Sequence, residues 1–364
     1  MTDTTPRFVR IKDSIKADIA AGKYRPGQRV PAQASLIRDF GVTQSTLTRA
    51  VHDLIREGVL ETRHGSGTYV AARTTKTQRI EIIIPDVINP FYPFFASAAA
   101  AAAHRHGFDS DIHLADPRTG EAALLRRLLA TPESIIVTRG MHSDLVKRLV
   151  NRQMERFIFF NRIPGLSEKA NLFLTDLESG GYRAASHLIA QGHRRIAFIG
   201  ENLASDTGRF AGYRRALSEH RIPLDERLVF SFGPRPSFQY HSERKKRSFI
   251  DGILTSIRRT KNAPTAIFAY SDYIAMYLLS ACFIRNISVP ASLSICGFDG
   301  VHTEQTAMFG LTTVRQPAAA LADKAFAMLS DGSLAKGGIV VTHSPEIVPG
   351  KTVKDIRKKK GARP

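Results

Sequence analysis

The chain has 364 residues, 43% of them hydrophobic and 23% charged, which is the profile of a globular protein of two or three domains able to bury a large core. It holds no run of about 18 apolar residues and no signal-peptide pattern, so neither a membrane span nor a secreted chain is expected. Its two cysteines, Cys282 and Cys296, sit in apolar runs and read as buried thiols of a reducing cytoplasm, not as a disulfide or zinc site. The formal net charge of +19 marks a candidate polyanion binder. That charge is spread, with +7 in residues 1–79 and +12 downstream. The clusters Arg244–Arg247 and Arg357–Lys360 read as solvated surface.

Residues 1–71 form the first unit. Phe8, Ile11, Ile15 and Ile19 recur at helical spacing, and Gly22 with Pro26-Gly27 ends that helix. Ala34–Phe40 makes a second helix, Gly41-Val42-Thr43 a tight turn, and Ser45–Glu57 a third helix with Leu47, Val51, Leu54 and Ile55 inward. Val59–Thr62 and Thr68–Val70 alternate like strands around the tip His64-Gly65-Ser66-Gly67. Helix, helix, turn, helix and hairpin make a winged helix-turn-helix. Ala72–Gln78 is polar and aperiodic, a linker.

Residues 79–350 alternate strands with helices, which implies parallel sheets with right-handed crossovers. Strand-like runs stand at Ile80–Ile84, Ser110–Leu114, Ser134–Thr138, Phe157–Phe160, Ile196–Gly200, Leu228–Phe232, Ala266–Ala269 and Ser294–Gly297. About 270 residues of this pattern exceed one sheet, so an α/β body of two lobes is expected, with a basic tail over residues 351–364. In open parallel sheets ligands bind beyond the carboxyl ends of the strands.

The first unit resembles the GntR family of winged-helix repressors through Val30-Pro31, Phe40-Gly41-Val42-Thr43, Thr46–Ala50, Glu57-Gly58 and Gly65–Val70. The family often has Ser-Arg where this chain has Thr43-Gln44. Residues 79–350 resemble the effector domain of lactose-repressor (LacI) type regulators and periplasmic sugar-binding proteins. That likeness rests on Ile84-Pro85-Asp86, Asn89–Tyr92, Asp176–Leu188, Gly192–Ile196, Arg209 with Gly212-Tyr213, Pro264–Phe268, Gly297-Phe298-Asp299 and Leu311–Pro317. The combination is similar to the arabinose-repressor group. It implies a homodimer on double-stranded operator DNA, released by a sugar-like effector.

For DNA, Gln44, Ser45, Thr46 and Arg49 open the third helix, where Gln suits adenine and Arg guanine. Arg7, Arg29 and Arg38 suit phosphates, and Arg63, His64 and Gly65 form a wing tip able to enter a minor groove. Ser45 and Thr46 also suit helix capping. A sugar requires aromatic plates and planar bidentate groups. Strand ends offer Asn89, Phe91, Tyr92, Asn161, Arg162, Arg209, Ser271, Asp299 and Gln316, with Phe238 placed to stack on the opposite face. The resemblance puts the family's effector contacts at these same positions, although its sugar-binding members often have Asp at 161 and Asn at 271. Asp272 reads as a helix N-cap, Asp176 as a hinge or cap, and the apolar face of Phe91–Ala103 as a surface for pairing. No phosphate loop, nucleophile elbow, assignable acid pair, metal site or cofactor motif is present, so no enzyme is expected. A regulator answering to a non-sugar metabolite, an activator, or more distantly a sugar-metabolising enzyme remain the alternatives.

Overall fold

The computed structural model describes residues 6–25, 27–56, 59–63, 66–71, 79–115, 120–131, 134–139, 148, 150–163, 165–200, 208–233 and 238–357. The chain divides into two units, Met1–Gln78 and Arg79–Pro364. In the first, helices α1 (Arg7–Ala20), α2 (Gln33–Phe40) and α3 (Gln44–Arg56) precede a hairpin of β1 (Leu60–Arg63) and β2 (Gly67–Val70). The inward spacing of Ile11, Ile15, Leu47, Val51 and Leu54 closes α1 on α3, and Leu60 and Val70 seal the core from the hairpin. Gly41 stops α2 in the left-handed conformation, at φ 59°. Strands β1 and β2 pair antiparallel from Leu60↔Val70 to Arg63↔Gly67.

The second unit holds two sheets of six strands. The first lobe orders β13-β7-β6-β5-β3-β4, all parallel. Its strands are β3 (Ile80–Ile84), β4 (Ser110–Leu114), β5 (Ile135–Thr138), β6 (Phe157–Phe159), β7 (Asn171–Thr175) and β13 (Val340–His343). Helices α4 (Phe91–Arg105) and α11 (Ala318–Ser330) cover one face, and α5 (Glu121–Leu129) packs on the other. The second lobe orders β14-β12-β11-β10-β8-β9, parallel except for β14. It comprises β8 (Ile196–Gly200), β9 (Val229–Ser231), β10 (Ala266–Ala269), β11 (Ser294–Asp299), β12 (Thr312–Arg315) and β14 (Glu346–Val348). One face carries α6 (Leu177–Ala190) and α7 (Arg209–Glu219), the other α8 (Glu243–Arg259) and α9 (Asp272–Ile284), with the short α10 (Glu304–Phe309) nearby. The chain crosses between lobes three times, after β7, after β12 and between β13 and β14. Buried strands such as Ile80–Ile84 are apolar throughout because both faces are covered.

Three expectations need correcting. Residues 351–357 belong to the second lobe instead of a tail: Thr352 is buried, its hydroxyl donates to the Ile295 carbonyl at 2.6 Å, and the Ile356 amide donates to Gln191 O at 2.8 Å. The remainder of the basic run, Lys358–Lys360, lies outside the described residues. The cluster Arg244–Arg247 lies in the first turn of helix α8, where Arg244, Lys245 and Arg247 are exposed as expected but Lys246 is buried, donating to Glu243 and to the Tyr273 hydroxyl. The apolar face of Phe91–Ala103 is used within its own lobe, where Phe91, Phe95, Ala96, Ala99, Ala102 and Ala103 are buried. Exposed apolar side chains stand elsewhere, among them Phe283 (78%) and Ile284 (66%) at the end of α9. Both cysteines are buried, and burial pushes the Cys282 thiol up to about 11.

Candidate functional site

In the first unit the exposed face of α3 carries the predicted base readers. Gln44, Ser45, Thr48, Arg49 and His52 surround one shallow concavity with Asp53. Helix capping falls to Thr43, whose hydroxyl accepts from the Thr46 amide at 3.4 Å and bonds the Thr46 hydroxyl at 2.9 Å, which leaves Gln44 and Ser45 outward. The Arg49 guanidinium lies 4.1 Å from the Phe8 ring centroid, a stacking contact that narrows its directions. Arg7, Arg29 and Arg38 are exposed. Arg63 sits over the Tyr69 ring and forks onto Glu61 at 2.8 and 3.0 Å. His64 and Gly65 lie outside the described residues.

In the second unit the strand ends of both lobes meet a cavity of about 740 Å³. Asn89, Phe91, Asp272, Tyr273, Tyr277 and Asp299 are among its walls. From Asp299 on its wall a polar chain runs between the lobes. Arg209 Nη2 donates to Asp299 Oδ1 at 3.2 Å, and Gln316 Nε2 donates to the same oxygen at 2.7 Å. Gln316 Oε1 accepts from Arg139 Nη2 at 3.0 Å, and Arg139 Nη1 donates to the Phe160 carbonyl. Arg209 is sandwiched between the Tyr270 and Phe298 rings at 4.1 and 4.2 Å, and Arg139 rests 4.5 Å from the Phe91 ring centroid.

Local sequence explains this placement. Arg209 opens α7, which crosses α6 with almost no gap: a Cβ on Gly181 would stand 2.1 Å from the Arg209 carbonyl oxygen, and one on Gly212 2.0 Å from that of Glu178. Only glycine permits such an approach. Asp272 lies against β11 at Gly297, where a Cβ would stand 2.3 Å from its carboxylate. Its oxygens accept from the Thr313 hydroxyl at 2.5 Å and the Val301 amide at 2.9 Å.

Electrostatics follow burial. Desolvation raises the Asp299 carboxyl to about 6, against the pull of Arg209, Gln316 and Arg139. Asp272 is pushed well above the usual carboxylate range, by desolvation first and the Asp299 charge second. Desolvation lowers Arg139 to about 10, which keeps it charged at neutral pH. A second tie spans the lobes at Asp86. One oxygen accepts from the Ile88 and Asn89 amides, and the other from the Tyr240 hydroxyl at 2.7 Å.

Five of the ten effector candidates gather at the cleft. Asn89, Phe91 and Asp299 line the cavity, while Arg209 and Gln316 bond Asp299. The Asn89 side chain also accepts from the Phe91 amide at 3.1 Å, and Phe91 is buried in the lobe core with one face toward Arg139. Tyr92 and Asn161 are half-buried, and Arg162 is exposed at the end of β6. Two assignments change. Phe238 is no stacking plate: it is 1% exposed, packed edge-on against Phe232 at 5.0 Å and Tyr277 at 5.2 Å, and so supports the aromatic wall from behind. Ser271, not Asp272, caps α9, accepting from the Ile274 amide at 3.3 Å, which releases Asp272 to face the cavity. Asp176 caps α6 at the first crossing, accepting from the Ser179 amide at 2.9 Å. Sequence reasoning missed Arg139, although it directly follows β5, and missed Tyr273 and Tyr277, spaced four apart on α9.

A winged helix-turn-helix and a two-lobed cleft on one chain define a transcriptional regulator. Residues 8–70 match the bacterial regulatory proteins of the gntR family, and residues 185–353 a periplasmic binding protein-like domain. The HTH-type transcriptional regulator DegA of Bacillus subtilis is 30% identical over 298 residues, covering 76% of this chain and 84% of that protein. The arabinose metabolism transcriptional repressor of Geobacillus stearothermophilus is 25% identical over 97% of this chain and 99% of its own length. In fold, the chain resembles the transcriptional regulator CelR in complex with cellobiose (TM-score 0.63, 18% identity, 85% of this chain and 90% of that one). It likewise resembles a LacI family regulator from Enterococcus faecium with bound ribose (TM-score 0.62, 21% identity, 77% of this chain and all of that one). The chain belongs to the family of HTH-type transcriptional regulators and joins a GntR-type DNA-binding head to a LacI-like body. Its relatives are regulators, not enzymes. Among the described residues no helix is long and apolar enough to cross a membrane.

Proposed function

We propose that this protein is a repressor that holds a two-fold operator as a homodimer in the cytoplasm and releases it when a carbohydrate-type effector enters the cleft. The observation that carries the reading is the chain Arg209–Asp299–Gln316–Arg139, which runs from one lobe to the other and meets the cavity at Asp299. Asp299 suits a pair of ligand hydroxyls, Arg209 offers a rigid fork of donors, and the aromatic surfaces of Phe91, Tyr273 and Tyr277 suit C–H faces. A ligand bonding both ends of that chain favours one lobe arrangement over another, and only such a difference in affinity can move the DNA equilibrium. Relatives named for arabinose metabolism and neighbours solved with cellobiose and ribose support the sugar class. The exposed Phe283 and Ile284 of α9 supply an apolar surface for pairing. One winged head reads few bases, so pairing doubles the site and adds affinities.

The test measures operator binding by fluorescence anisotropy while sugars are titrated into wild type and Arg209→Ala. Wild type releases DNA at a sugar concentration that leaves Arg209→Ala bound. Tighter DNA binding in the presence of sugar reverses the sign of the mechanism. An unchanged response in Arg209→Ala moves the effector site elsewhere.

A further inference from the structure

Arg139 is a cation whose hydrogen bonds in the network end on uncharged acceptors. It follows β5, is half-buried, and donates to the Phe160 carbonyl and the Gln316 amide oxygen. Among the described residues no carboxylate stands within ion-pair distance of it. Asp299 already accepts from Arg209 and Gln316, and Asp272 from Thr313 and Val301. The guanidinium rests on the ring of Phe91, which lines the cavity, and the carboxylate that attracts it, Asp299, bonds Arg209 and Gln316 instead, so a direct partner for this half-buried charge is left to a ligand. Arg162 stands exposed at the end of the neighbouring strand, β6, which pairs with β5 from Ile136↔Phe157 to Thr138↔Phe159. With Arg209, which opens α7, three arginines stand on the segments that follow three separate strands. Guanidinium forks match the two oxygens of a carboxylate or phosphate, and a hydrogen bond to such a charged acceptor is stronger than one to a neutral hydroxyl.

We propose that the effector is an anionic carbohydrate, a sugar acid or a sugar phosphate, whose charged group is held by Arg139 at the ends of β5 and β6 while its hydroxyls face Asp299. This rests on reading the cleft as the effector site and adds the ligand's charge to it.

Calorimetry on the full-length protein tests the idea with gluconate and glucose 6-phosphate against glucose, and arabinonate and ribose 5-phosphate against arabinose and ribose. Wild type, Arg139→Lys and Arg139→Gln are compared. In wild type at least one charged probe binds roughly tenfold or more tightly than its neutral parent. Arg139→Gln abolishes that gap and Arg139→Lys restores part of it. Which charged probe binds separates sugar acid from sugar phosphate. Neutral parents binding as well as charged probes, or Arg139→Gln weakening both alike, overturns the anionic assignment while the effector cleft stands. If no probe of either kind binds, the cleft reading falls together with this one.

Discussion

Asp299 holds a backbone φ of 124°, a region few side chains enter, and keeps its buried carboxyl between Arg209 and Gln316. Such strain costs about 1–3 kcal/mol and persists only where surroundings enforce it. Because the folded-state pKa is raised, from the ordinary 3.8 to about 6, the folded protein binds the proton more tightly than the unfolded chain. The stability owed to this group is therefore full below 3.8 and is lost as pH rises through about 6. Urea unfolding across that window in wild type and Asp299→Asn checks the sign: the difference between them should fall with pH and level off above about 6. A difference that grows with pH would show that Arg209 dominates burial. For DNA, Arg49→Ala should cost about 1–3 kcal/mol on the cognate operator and relax preference at one base pair. Equal loss on all sequences would make Arg49 a phosphate contact. These residues were legible because charges directly after apolar strands, or at a helix entry after a turn, have few reasons to be there. Phe238 misled because a loop aromatic in sequence gives no sign of the four aromatic rings it packs against, those of Phe232, Phe249, Tyr273 and Tyr277.

At the scale of elements, the α6–α7 crossing sets where Arg209 points. Gly181→Ala would drive a methyl group into the Arg209 carbonyl, so one helix must shift. Overpacking of this kind costs typically 1–3 kcal/mol, and the effector affinity should fall with the melting temperature. Full effector affinity in a destabilised Gly181→Ala would uncouple the crossing from the site. The long apolar strands, the helices of the head and the helix after β3 were readable from periodicity, to within a residue or two at most ends, whereas the other helices of the body were expected only as the fill between strands. Strands β7, β12, β13 and β14 were not identified as strands. In β12 the buried positions include Thr312, whose hydroxyl accepts from the Gly350 amide, and Thr313, whose hydroxyl donates to Asp272, so no apolar pattern marks them. Strand β13 carries an exposed Val340 (55%), and β14 is three residues long at a sheet edge. Their pairing is decided by distant partners, Asn171–Thr175 for β13 and Thr313–Arg315 for β14.

For the whole molecule, two units with separate cores imply two unfolding transitions. An effector at about a hundredfold excess over its dissociation constant should raise the stability of the body by roughly 2.7 kcal/mol and leave the head's transition where it was. Calorimetric scans with and without the ligand show which transition moves. Movement of the head's transition alone would place the ligand on the DNA-binding unit.

The threefold crossing between lobes also has a consequence for biosynthesis. The first lobe needs α11 and β13, which emerge more than 140 residues after β7. At roughly 5–20 residues per second, a ribosome spends on the order of ten seconds or more making the second lobe while the first stands unfinished. During that interval the α4 face that α11 will cover, with Phe95 and its alanines, is open to solvent. The head, by contrast, is complete once residue 71 has emerged. Nascent chains halted near residue 316 should therefore carry a protease-resistant head and a first lobe that chaperones still recognise, and resistance of the body should arrive abruptly once residue 357 has left the tunnel.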